Sequence, residues 1–139
     1  MIADIPYSDL NIGDTAEFSK TISETDVYNF AGICGDFNPL HVDREFAEKS
    51  PFKKRIAHGM LSAGLISTVL GTTLPGKNTI YLEQNLKFRA PVYIGDTITA
   101  RVEVIELITE KNIARLKTEA LNQSGDIVIE GQATIMKKT

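Results

Sequence analysis

The chain has 139 residues, 42% of them hydrophobic and 24% charged, with a formal net charge of -3. That length suits a single domain over residues 1–139 that buries roughly two thirds of its unfolded surface, and the lack of low-complexity runs excludes a disordered polypeptide. The slightly acidic balance, with Lys and Arg dispersed along the chain, speaks against a nucleic-acid binder, and a lone Cys34 excludes an internal disulfide.

Met1 to Leu10 carries Asp4, Pro6 and Asp9 and lacks the apolar core of a signal peptide, so a cytoplasmic protein is expected. Ala16 to Ile22 reads as a first strand. Ser23 follows as a helix N-cap, with Asp26 three residues on. Val27, Phe30, Ala31 and Cys34 then recur at i, i+3, i+4 and i+7, which gives one apolar helical face with Cys34 as a small core residue, and Gly35 ends the helix. A short helix is expected over Arg44 to Lys49, stopped by Ser50-Pro51. A basic run, Lys53-Lys54-Arg55, precedes a long helix from about His58 to Gly71.

That helix is apolar almost all round. Its stretch from Ile56 to Leu74 is broken by His58, Gly59, Ser62, Gly64, Ser67 and Gly71, so it reads as a buried helix rather than a membrane span. Ala63, Ser67 and Gly71 form a small-residue stripe that suits either tight packing against a sheet or contact with a thin ligand. From Thr79 the period changes from 3.6 to 2: Ile80, Leu82, Leu86 and Phe88 alternate with polar neighbours. Ile98, Ala100, Val102 and Val104 do the same, and the phase change to Ile105 and Leu107 predicts a bulge near Val104. Ile113 to Leu121 and Ile127 to Met136 complete a meander with turns at Glu110-Lys111-Asn112 and Gln123-Ser124-Gly125-Asp126. Early helices and late strands give an α+β domain whose antiparallel sheet covers the apolar helix.

The stretch Gly35-Asp36-Phe37-Asn38-Pro39-Leu40-His41 places a carboxylate and an imidazole on either side of an Asn-Pro turn. Pro39 pushes Asn38 out of the helical region, so the chain folds back and both groups can face one small molecule. Such a pair can orient and deprotonate a water and return a proton to carbon; it is equally ordinary turn chemistry. Gly59, opening the long helix, offers an unobstructed N–H as an anion donor. His58 reads as a helix-start residue rather than a second base. One Cys and two His leave too few ligands for a structural zinc site, so no metal is expected.

Asp36-Phe37-Asn38-Pro39-Leu40-His41 followed by Ile56-Ala57-His58-Gly59-Met60-Leu61-Ser62-Ala63-Gly64-Leu65-Ile66-Ser67 resembles the MaoC-like, (R)-specific enoyl-CoA hydratases. The likeness runs from about Ile12 to the C-terminus, through Leu74-Pro75-Gly76-Lys77, Ile80-Tyr81-Leu82 and Val92-Tyr93-Ile94-Gly95-Asp96. It implies the hotdog fold, a curled antiparallel sheet wrapped around a long central helix, with dimerisation by sheet extension and an acyl-CoA groove shared between two chains. It implies hydration of a trans-2-enoyl-CoA to the (3R)-3-hydroxyacyl-CoA, with Asp36 and His41 holding the water and Gly59 as oxyanion donor. No cofactor is implied beyond the coenzyme A of the substrate, and no nucleic-acid or membrane partner. By the same resemblance Asn38 supports the site, Ser67 lines the acyl tunnel or meets Asp36, and Leu70 and Ile135 wall the acyl pocket, which implies a short chain. In a CoA enzyme the run Lys53-Lys54-Arg55 could meet nucleotide phosphates; otherwise it is a solvated loop.

Three other functions stay open at this level. A hotdog thioesterase would carry a carboxylate on the central helix, and none lies between Ile56 and Leu74. A β-hydroxyacyl-carrier-protein dehydratase would run the reverse chemistry on a carrier-bound thioester. A non-catalytic acyl-CoA-binding module would not need Asp36 and His41 together.

Overall fold

A computed structural model describes residues 1–138. Six strands form one antiparallel sheet: β1 (Thr15–Thr21), β2 (Thr79–Gln84), β3 (Lys87–Phe88), β4 (Thr97–Ile108), β5 (Ile113–Leu121) and β6 (Ile127–Lys137). The spatial order is β1-β4-β5-β6-β2, and β3 also pairs with β6. The helices are α1 (Glu24–Cys34), α2 (Pro39–Val42), α3 (Arg44–Glu48) and α4 (Gly59–Thr72). The sheet curls around α4, which packs on β4, β1 and β5. This is the hotdog architecture implied by the motifs.

Alternation builds the inner face. Ile98, Ala100, Val102 and Val104 of β4, Ala114, Leu116 and Ala120 of β5, and Val128, Ala133 and Ile135 of β6 are all buried in one cluster with Leu65, Ile66, Val69 and Leu70 of α4. Beyond Val104 the pairing of β4 with β5 shifts register before Glu106, the bulge expected from the phase change, and Ile105 turns outward. The β5–β6 turn is held by Asn122, whose Oδ1 accepts the N–H groups of Ser124 and Asp126.

At α1 the capping box is complete: Ser23 Oγ accepts the Asp26 N–H at 3.0 Å while Asp26 Oδ2 accepts the Ser23 N–H at 2.9 Å. Gly35 closes the helix with φ 81°, a left-handed value that glycine adopts at low cost. Val27 and Ala31 face the core. Cys34 does not: every residue from 32 to 38 is exposed, because the last turn of α1 overruns the covered part of the core, and the expectation of a core cysteine is corrected accordingly. The apolar alternation of β2 is also uncovered within the chain, with Leu82 47% exposed at the outer end of the sheet. Among the described residues no helix is long and apolar enough to cross a membrane.

Candidate active site

Gly35 turns the chain out of α1 and delivers Asp36 to the mouth of a pocket. Asp36 Oδ1 accepts the Asn38 N–H at 3.2 Å, and Asn38 Oδ1 accepts the Leu40 N–H at 3.0 Å, so two successive side-chain turns bend the segment. Asn38 is the N-cap of α2, and Pro39 fills the first helical position, where its missing N–H costs no hydrogen bond. One turn of helix then swings His41 back toward Asp36. His41 is 8% exposed, and its Nδ1 lies 2.7 Å from the Ile56 carbonyl oxygen. A carbonyl only accepts, so Nδ1–H donates and Nε2 remains for a ligand.

The chain then brings in His58, which the sequence reading set aside as a helix-start residue. It is the N-cap residue of α4, yet its side chain makes no capping hydrogen bond. Instead Nε2–H donates to the Asp36 carbonyl oxygen at 2.8 Å, across 22 residues. Its ring stacks on His41 with centroids 3.8 Å apart and planes inclined by 28°, and Phe30 leans against it at 4.9 Å. His58 is 3% exposed, and its Nδ1 has no hydrogen-bond partner among the described residues. Its signal in the sequence is its place beside Gly59 in the motif that opens α4; the contact with Asp36 is tertiary.

Asp36, His41, His58, Gly59, Met60, Phe30 and Cys34 line one pocket of about 360 Å³. Gly59 also borders an apolar groove of about 470 Å³ with Phe52, Ala57, Phe88, Pro91 and Val92. Ser67 lies elsewhere, in a third recess of about 380 Å³ with Ala63, Gly64, Tyr81, Leu82 and Leu86. The single chain therefore does not bring Ser67 to Asp36. Met60, 56% exposed, borders all three spaces. Leu70 and Ile135 are buried in the helix–sheet core, 1% and 0% exposed, and neither lines the Asp36 pocket. Burial pushes the Tyr81 hydroxyl up to about 12, so beside Ser67 it stays protonated and donates to Gln84 Oε1.

The basic run divides its duties. Arg55 pairs with Glu24 at 2.5 Å and donates to the Tyr28 hydroxyl at 2.9 Å, which anchors the approach to α4 on α1. Its hydrogen bond to Glu24 holds that carboxyl below the ordinary range. Lys54 lies over the Tyr93 ring at 4.5 Å. Asp36, His41 and His58 each offer a ligand atom, all within 4.8 Å of one another. One nitrogen of each ring already meets a carbonyl. The cluster suits proton transfer and a held water.

The family model described as the MaoC like domain matches residues 9–125. The chain is 53% identical over 130 residues to an (R)-specific enoyl-CoA hydratase of Rhodospirillum rubrum, which covers 94% of this chain and 90% of that protein. It is 48% identical over 129 residues to a 3-hydroxybutyryl-CoA dehydratase of Methylorubrum extorquens, over 93% of this chain and 82% of that one. Among solved structures, the unliganded R-hydratase PhaJ1 of Pseudomonas aeruginosa superposes with a TM-score of 0.94 at 46% identity, over 98% of this chain and 87% of that chain.

Proposed function

The chain belongs to the MaoC-like domain family, and we infer that it is an (R)-specific enoyl-CoA hydratase, adding water to a trans-2-enoyl-CoA to give the (3R)-3-hydroxyacyl-CoA. The observation that carries this reading is the convergence of Asp36, His41 and Gly59 on one pocket. Hydration places oxygen on C3 and a proton on C2 while negative charge collects on the thioester oxygen. Asp36 and the free Nε2 of His41 hold the water between them, and one face of the enoyl group is presented to it. The proton leaves the water through this pair and returns to C2. The thioester oxygen is stabilised by the Gly59 N–H at the positive end of α4, an arrangement whose loss typically costs about 10²- to 10³-fold in rate. There is no net oxidation or reduction, so acid–base groups suffice.

The physiological unit in this reading is a cytoplasmic homodimer. The uncovered apolar side chains of β2, with Met60 beside them, form the surface that a second copy covers by extending the sheet. Ser67 enters the acyl tunnel once that partner is present, and the bulky aliphatics Leu70 and Ile135 end the tunnel early, so C4 to C6 chains are preferred. A relative named for 3-hydroxybutyryl-CoA is consistent with this. The test is loss of enoyl absorbance with crotonyl-, hexenoyl- and octenoyl-CoA, chiral analysis of the product, and a parallel crotonyl-carrier-protein arm. An S product, or a clear preference for the carrier-bound thioester, would overturn the assignment.

A further inference from the structure

We propose that His58 is a positioning residue for the hydration reaction: an imidazole that donates from Nε2 and clamps the Asp36 backbone and the His41 ring into one geometry. The inference rests on the hydratase reading above for its kinetic test and on geometry alone for its spectroscopic one.

Three contacts lead to it. The 2.8 Å hydrogen bond to the Asp36 carbonyl fixes the exposed loop at the residue that carries the carboxylate. The 3.8 Å stack fixes the plane of the His41 ring, complementing the Ile56 carbonyl, which fixes its rotation about the pocket. The peptide link to Gly59 places the proposed oxyanion N–H on the very next residue. One buried ring thus connects the carboxylate, the imidazole and the anion donor, which come from two segments of the chain. Nothing else described reaches the Asp36 carbonyl, and the rest of residues 32 to 38 lies exposed.

The protonation state follows from the same contacts. Because a carbonyl accepts, Nε2 carries the proton, and Nδ1 is left buried without a partner. The ring stacked on His41 can also polarise toward the positive charge that His41 carries while it holds the water proton.

The test uses three variants of the intact protein. His58→Ala removes both hydrogen bond and stack, His58→Phe keeps the stack, and His58→Gln keeps an N–H donor for the Asp36 carbonyl. With crotonyl-CoA, His58→Ala should lower kcat by about 10- to 100-fold with KM within about threefold, the expected cost of a small misplacement of reacting groups. Phe and Gln should each recover part of the loss. In parallel, the two histidines of the chain give two 15N imidazole patterns. The pattern absent from the variants should be that of a ring protonated on Nε2. A folded His58→Ala protein with kcat within twofold of wild type, or a loss confined to KM, would overturn the proposal. If His58→Ala fails to fold, wild-type kcat in both His58→Phe and His58→Gln would overturn it instead. A His58 pattern with Nε2 unprotonated would overturn it irrespective of kinetics. A wild-type protein without hydratase activity but with the expected pattern would remove the hydratase reading and leave the clamp standing.

Discussion

The Nδ1 nitrogen of His41 lies 2.7 Å from the carbonyl oxygen of Ile56, 15 residues further along the chain. The Ile56 N–H in turn donates to the Leu40 carbonyl at 3.2 Å. The two bonds stitch α2 to the segment that leads into α4. They also dictate that Nε2 is the nitrogen of His41 offered to a ligand.

Asp36→Asn and His41→Ala should each lower kcat by about 10²- to 10⁴-fold, the range for positioned acid–base groups. If both hold the same water, the double variant should be little worse than the poorer single one. Steady-state kinetics on the four proteins checks this; multiplicative losses would mean that the residues serve separate steps.

Gly59 is the first residue of α4, a position where proline fits a helix while removing the N–H. A Cβ at Gly59 would approach Phe88 Cε1 to 2.6 Å, so any substitution there must also displace that exposed ring. The clean comparison is therefore made in a Phe88→Ala background. There Gly59→Ala should stay within about tenfold of its parent, and Gly59→Pro should lose about 10²-fold or more in kcat. Equal kcat values in the two double variants would remove the Gly59 N–H from the oxyanion role.

The protein should have the mass of two chains by light scattering. Leu82→Glu, on the exposed face of the outer strand, should shift it toward one chain and lower activity in step, because a charge within the proposed apolar interface would be left without a partner. Full activity in a monomeric Leu82→Glu protein would place every required residue within one chain.

Leu70 is 1% exposed and packed in the core, so Leu70→Ala should destabilise the fold by about 2–5 kcal/mol in a denaturant titration. If it also walls the acyl pocket, the kcat/KM ratio of octenoyl- to crotonyl-CoA should rise in the same variant. A stability loss with an unchanged ratio would leave Leu70 a packing residue only.

Much of this molecule is decided by local pattern. The capping pair Ser23 and Asp26, the stop at Gly35, the change of period at Thr79 and the bulge after Val104 each depend on residues a few positions apart, and each is in place. The Asp36 to His41 segment belongs to the same class: an Asx turn, an N-cap and a proline bend the backbone whatever surrounds it. What local pattern could not reach is which face meets which. Cys34 has the spacing of a core residue but lies where α1 overruns the core, and Ile80 and Leu82 have the alternation of buried residues but lie at the end of the sheet. His58 looks like a helix-start residue until folding stacks it on His41 and hydrogen-bonds it to Asp36. Periodicity specifies the apolar side of an element, because it is set by backbone geometry. The partner of that side, and the long-range contacts that turn a bent loop into a site, are fixed only when α4 is enclosed by the sheet and segments distant in sequence share one pocket.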